Sequence, residues 1–299
     1  MIWLEQVLQG VLLGGYYALL ACGLSFMFGV MRIINLAHGS LAVIAAFLVW
    51  LLAEHAGLHP FLGLLAVMPV MALLGCMLQR FVLDRSLRAG ELVPILSTFG
   101  LAIVLDNSLF SGFGADTRSL APYLDTLAYD SWEIFPDVYV GQLPVMILVA
   151  AFVLLGGLHA LLRYTSIGRR IRAVAEDPDT ARLVGINSRA VYAMAAAVSM
   201  VTVSFAGLAL GVRSTFDPYA GPLQLIFAFE AVVIGGMGSL WGTLVGGITL
   251  GIAQSIGAQL NPQGFLIAGH AVFLAVLVLR QLGFSGFGML LRRYVRARL

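Results

Sequence analysis

Apolar and polar positions along this chain fall into long blocks rather than alternating. Continuous apolar runs cover 6–30, 36–53, 60–80, 92–112, 141–162, 190–212, 224–238, 242–259 and 263–282, with short polar links between them. A membrane-crossing helix takes about 20 residues, and 36–53 and 224–238 are short for that. The runs are rich in Leu and Ala and lack the period-two pattern of a membrane barrel strand, so helices are predicted throughout. The expected architecture is an all-α polytopic integral membrane protein with about nine transmembrane helices, eight at the fewest and ten at the most. The whole chain, 1–299, reads as a single transmembrane domain.

Charge sets the expected orientation, because short cytoplasmic loops accumulate Arg and Lys. The link 163–189 carries Arg163, Arg169, Arg170, Arg172, Arg182 and Arg189, and the tail carries Arg292, Arg293, Arg296 and Arg298. Both are expected in the cytoplasm, with Arg80, Arg85 and Arg88 on the same side. The link 112–140 has Arg118 against Asp116, Asp125, Asp130, Glu133 and Asp137 and is expected outside. An odd helix count then places the N-terminus outside and the C-terminus inside. The outer link also holds Tyr123, Tyr129, Trp132 and Tyr139, which fit either an interfacial loop with aromatic anchors or a docking surface for an external partner.

Composition narrows the chemistry. Apolar residues make up 60% of the 299 and charged residues 11%, about half the charged share of a soluble domain. All seventeen basic residues are Arg, so the chain can supply neither a P-loop lysine nor a Schiff-base nucleophile. Any ATP must be hydrolysed by another protein. No carboxylate pair, metal-spaced His cluster or positioned nucleophile is recognisable, so no catalytic site of its own is expected. Cys22 and Cys76 stand alone in apolar runs and read as small buried hydrophobes, not a disulfide or a metal site. A net charge of +2 gives no reason to expect nucleic acid. Met1–Glu5 lacks the basic start of a cleaved signal peptide, so the first apolar segment is expected to stay in the mature protein.

The link 163–189 contains a short helix with both ends marked: Asp177 to cap it, Pro178 in its first turn and Gly185 as a left-handed stop. About two turns of helix are unstable alone in water. Either transmembrane neighbours or a cytosolic partner must hold it.

Three ordered motifs carry a family resemblance. Thr165-Ser166-Ile167-Gly168-Arg169-Arg170-Ile171-Arg172-Ala173-Val174, followed by Asp177-Pro178 and Ala181-Arg182-Leu183-Val184-Gly185-Ile186-Asn187, is the first. Gly29-Val30-Met31-Arg32-Ile33-Ile34-Asn35-Leu36-Ala37-His38-Gly39 is the second, and Val232-Val233-Ile234-Gly235-Gly236-Met237-Gly238-Ser239-Leu240-Trp241-Gly242 the third. Together they resemble the branched-chain amino acid ABC importer permeases of the LivH type. The resemblance implies a permease of the bacterial inner membrane, working with a second, LivM-type permease subunit, two cytosolic ATP-binding subunits and a periplasmic substrate-binding protein. It implies no cofactor on this chain, with ATP and Mg used by the partner ATPases. Arg169, Arg172, Asp177, Pro178, Arg182 and Gly185 would then belong to an ATPase-coupling segment. The cargo implied is branched-chain amino acids; urea, short amides and aromatic carboxylates are alternatives within the same importer type.

Remaining candidates lie in or beside the spans. Asn35 can cap the helix that follows it, with His38 one turn in; each is either a packing group or part of the translocation path. Ser97 and Thr98 match a family segment in the fourth span and offer hydroxyls to a path. Ionisable residues within spans avoid lipid, which singles out Asp106, Glu230 and His270. Glu230 is expected to face a cavity or to pair within the bundle, Arg213 being one partner considered. Where relatives of this type carry a basic residue, Glu230 is a departure. An ion-coupled secondary transporter using Glu230 or Asp106 is the remaining alternative, which the sparse ionisable groups disfavour. Gly238, Gly242 and Gly246 are read as one close-packing helix face, with Gly247 and Gly251 beside it and Gly10 and Gly14 earlier.

Overall fold

The computed structural model describes residues 2–90, 92–135 and 138–281; the tail arginines Arg292, Arg293, Arg296 and Arg298 lie outside these. It is almost wholly helical. In chain order the helices are α1 (Ile2–Met31), α2 (His38–Ala56), α3 (Pro60–Leu78), α4 (Asp84–Ala89), α5 (Val93–Phe113), α6 (Gln142–Tyr164), α7 (Ser166–Glu176), α8 (Pro178–Leu183), α9 (Ser188–Arg213), α10 (Gly221–Gly235), α11 (Leu240–Leu260) and α12 (Gly264–Gln281). A π-helical turn, Gln79–Leu83, joins α3 to α4. The link before α6 holds a 3₁₀ stretch, Ala121–Ala128, and an antiparallel hairpin of β1 (Ser131–Phe135) and β2 (Val138–Gly141).

Among the described residues, eight helical stretches are long and apolar enough to cross a membrane. The ninth apolar helix, α10, has fifteen residues, or about 22 Å at 1.5 Å per residue, against a hydrocarbon core of about 30 Å. It still carries the chain across. Gln6 and Gln9 near the start of α1 bond Gln259 and the Tyr139 carbonyl, while Gly29 near its end packs against Gly238. The extended segment 214–220 and α10 together lead from the first of these ends to the second. Arg280 donates to the Ile234 carbonyl, so α12 finishes at the second end, opposite the start of α1.

Packing follows from small residues. α1 and α9 form the buried centre, while α6 and α12 are the most peripheral helices. Where α1 crosses α11, a β-carbon at Gly10 would sit 2.5 Å from the Ile252 Cα, and one at Gly14 would sit 2.3 Å from that of Ile248. Gly247 and Gly251 return the contact against Ala18 and Gly14. Backbones this close gain dispersion contact that lipid cannot match. Gly242 and Gly246 pack in the same way against Gly235 and Ala231 of α10. Gly238 differs from expectation. It lies in the turn before α11 at φ +82 and meets Gly29 of α1, so it is a left-handed turn residue and not part of a helix face.

The charged links sort by end. Arg32, Asp84, Asp179 and Arg182 all lie near the Tyr192 phenol at the start of α9, which places the three Arg-bearing links together. At the other end the 3₁₀ stretch docks on α2 and α9: Leu120 and Leu124 are buried, Tyr123 donates to Glu54, and Arg118 lies 4.8 Å over the Trp50 ring.

Candidate functional site

Two helices begin inside the bundle rather than at its surface. After α1 the chain turns at Arg32, which takes the left-handed φ of 56, and Ile33–Ala37 runs back into the protein without helical structure. His38, the first residue of α2, reaches the Leu20 carbonyl through Nε2 at 2.7 Å. Leu20 is well inside α1, so α2 starts at mid-depth. From the opposite end, 214–220 descends similarly and α10 begins where Gly221 meets α2. A β-carbon on Gly221 would be 2.8 Å from the Ser40 amide nitrogen. Two helices of opposite direction, α2 and the short α10, thus touch N-terminus to N-terminus inside the bundle. Broken helices are tolerated at membrane depth only when protein or water surrounds the freed backbone.

Buried polar side chains satisfy much of that backbone. Asn35 Oδ1 accepts from the Ala37 amide at 3.0 Å, and its own carbonyl accepts from His38 at 3.2 Å. This is a turn two residues ahead of α2 and not the helix cap expected; Ala37 holds the capping position. Thr98 Oγ1 accepts from the Leu36 amide at 3.1 Å and donates to the Pro94 carbonyl at 2.8 Å. Thr98 is fully buried and braces the re-entrant segment Ile33–Ala37. Ser97 is half-buried. Asp106, deeper along α5, lies beside the Ser40 hydroxyl.

The face of α5 and α10 next to this junction is open. Phe99, Ile103, Asn107 and Phe110 of α5 and Tyr219, Leu223 and Ile226 around α10 are exposed, and Tyr219 donates to Asn107 Oδ1 at 3.3 Å.

At the Arg-rich end the link 163–189 forms two helices. Thr165 caps α7 by accepting from the Gly168 amide, and Gly168 packs on the last turn of α6, where a β-carbon would be 2.2 Å from the Leu161 carbonyl oxygen. Ile171 and Val174 bury one side of α7, leaving Arg169 and Arg172 on the other. Asp177 caps α8 by accepting from the amides of Asp179 and Thr180, and Pro178 opens it. These bonds hold the Asp177 carboxyl below the usual carboxylate range, the Thr180 hydroxyl contributing most. Gly185 at φ +82 ends the helix, with Ile186 donating back to the Ala181 carbonyl in a Schellman arrangement. Arg182 pairs with Asp179 at 3.0 Å. At the tip, Leu183 is 88% and Val184 73% exposed.

Residues 6–280 match the family described as "Branched-chain amino acid transport system / permease component". The chain belongs to this family. It is 29% identical over 295 residues to the high-affinity branched-chain amino acid transport system permease protein BraD of Pseudomonas aeruginosa, covering 95% of this chain and 96% of that one. Identity to LivH of Escherichia coli K12 is 28% over 300 residues, covering 95% and 96%. LivM of the same organism is 25% identical over 287 residues, covering 87% of this chain and 66% of LivM. No solved structure matches. The protein is therefore a multi-pass ABC importer permease subunit.

For such a permease the remaining candidates fall in two groups. Asn35, His38 and Thr98 come together at the α2–α10 junction. Glu230 does not join them: it is buried between α10 and α12, where His270 reaches its carboxylate. The partner is thus His270, not Arg213, whose guanidinium instead stacks 5.0 Å over the Tyr16 ring. Sequence reasoning missed the central polar pairs, Tyr16 with Gln224 at 2.7 Å and Tyr17 with Gln254. Their signal was a Gln in each of two apolar runs, Gln224 opening 224–238 and Gln254 within 242–259. It also missed Leu183 and Val184, apolar residues conspicuous only once α8 is seen to project.

Proposed function

We propose that this permease forms half of the translocation path of an inner-membrane importer for branched-chain amino acids, with a LivM-type subunit supplying the other half. Cytosolic ATPases drive it through α8. The Arg-bearing end faces the cytoplasm by the positive-inside rule, and a periplasmic binding protein delivers cargo to the hairpin end. The chain hydrolyses no ATP and holds no cofactor; ATP and Mg act in the partner subunits. Cargo is assigned from the names of the relatives, whose transport systems are for branched-chain amino acids.

One observation carries the reading. α8 is a two-turn helix held at both ends, by Asp177 and Gly185, so that Leu183 and Val184 project from the Arg-rich end with none of the described residues over them. Exposed apolar residues on a rigid, charged-rimmed knob fit a hydrophobic groove on a partner. Ser188 Oγ donates to the Pro178 carbonyl at 3.0 Å, so a push on α8 passes directly to α9, the buried centre of the bundle. The path is the open face of α5 and α10, with the α2–α10 junction as its hinge.

Orientation is tested by cysteine labelling. With Cys22 and Cys76 changed to Ser, a cysteine introduced at Arg169 should react with a membrane-impermeant maleimide in inverted vesicles and not in intact spheroplasts. Labelling from the outside would overturn the assignment.

A further inference from the structure

Between α3, α4 and the start of α9 lies a cavity of about 620 Å³ whose walls, among the described residues, carry Arg80, Arg85, Arg88 and Arg189 against one carboxylate, that of Asp84. It is built rather than incidental. The π turn Gln79–Leu83, closed by the Asp84 amide donating to the Gln79 carbonyl, inserts an extra residue between the spanning helix and α4. The wider turn carries Arg85 round to the wall that Arg80 and Arg88 share. Gln79, 1% exposed, donates through Nε2 to Asp84 at 3.1 Å and fixes that carboxylate from below. Asp84 reaches Arg88 only at 3.9 Å. The opposite wall is the first turn of α9, where Asn187 caps the helix by accepting from the Ala190 amide at 3.3 Å. Four guanidinium groups and a helix N-terminus converging on one cavity form an anion site.

An exposed apolar stripe leads to its rim. Val70, Leu73, Met77 and Phe81 are exposed at spacings of three and four along the outer side of α3 and its π turn. Met77 and Phe81 directly follow Cys76 and Arg80, both of which line the cavity. An apolar track that ends in a cluster of arginines at the membrane boundary fits a molecule with an acyl chain and an anionic phosphate head.

We propose that this cavity binds one anionic phospholipid, its phosphodiester held by Arg80, Arg85, Arg88 and Arg189 and an acyl chain lying along Val70–Phe81. Arg88 and Arg189 also border the adjoining cleft that Arg182 and Gly185 enter. The bound lipid would tie α4 to the base of the α8–α9 unit. The inference rests on the membrane setting and not on the cargo or on the coupling role.

The test is native mass spectrometry of the purified importer complex, released from nanodiscs of phosphatidylcholine mixed with phosphatidylglycerol. Expected is one retained phosphatidylglycerol per copy of this subunit. The double substitution Arg80→Gln with Arg85→Gln should weaken retention by at least about tenfold, since each arginine near the surface contributes about 1 kcal/mol. Arg170→Gln, at the same end but outside the cavity, should leave it unchanged. Should the double variant not assemble, Arg85→Gln alone with an unshifted thermal melt serves, with a smaller loss in the same direction. Equal loss from Arg170→Gln, no loss from the cavity variants, or displacement of the signal by inorganic phosphate or by an added ATPase subunit would overturn the proposal.

Discussion

Gly39 of α2 and Gly221 of α10 meet backbone to backbone: a β-carbon on Gly39 would stand 2.0 Å from the Gly221 carbonyl oxygen. This contact is the point at which two helices whose chains enter from opposite ends of the molecule are fastened together. Backbone cannot yield as a flexible side chain can. Gly39→Ala should therefore cost more than the roughly 1–3 kcal/mol of ordinary overpacking, seen as a lower thermal midpoint and lower yield of the detergent-solubilised protein. Gly100→Ala on α5, with nothing within 4 Å, should leave both unchanged.

His38→Ala removes the bond to the Leu20 carbonyl. A buried acceptor left without this partner costs about 1–3 kcal/mol. If the junction is the hinge of the path, uptake should fall by far more than the folded fraction does. Full uptake by the folded variant would leave His38 only a packing role.

Asp177 gives the coupling helix a pH dependence with a definite sign. Its folded carboxyl is held below the ordinary range by the Thr180 hydroxyl and the amides of Thr180 and Asp179. The cap's contribution is therefore fully present above the unfolded pKa and lost as pH falls through the depressed folded value. Stimulation of ATP hydrolysis by loaded binding protein should decline on acidification in the wild type. In Asp177→Asn, which keeps an oxygen acceptor, that decline should be smaller. Identical profiles would remove Asp177 from the cap.

Glu230 and His270 provide the contrast with an ion-driven carrier. Glu230→Gln still offers an acceptor to His270, so ATP-driven uptake in proteoliposomes should be kept, and a proton ionophore should not reduce it. Loss of uptake under either condition would revive an ion-coupled role for this pair.

Much of this was legible from the chain. The long spans follow from apolar run length, and α8 from Asp177, Pro178 and Gly185, because helix ends are set by local backbone chemistry that single residues disclose. The depth at which a helix begins is not local information. Nothing in 36–53 or 224–238 tells that α2 and α10 start in the middle of the bundle, because apolar side chains suit protein and lipid surroundings alike. Gly238 fitted a four-residue spacing yet serves a left-handed turn, since spacing alone does not show where a helix starts. Asn35 was read as a helix cap, and its turn ahead of α2 was not legible, because that turn is braced by Thr98 arriving from another helix. α7 was hidden for a different reason: its amphipathic period sits inside an Arg-rich stretch that reads first as a charged link.

The central claim is that α8 transmits ATPase motion into the bundle. The most direct measurement is ATP hydrolysis and cargo uptake side by side, in proteoliposomes holding the complete importer with either Asp177→Ala or Gly185→Val in this subunit. Both variants should assemble and keep basal hydrolysis while losing stimulation by loaded binding protein and losing uptake together. Unaltered stimulation and uptake in both would contradict the account.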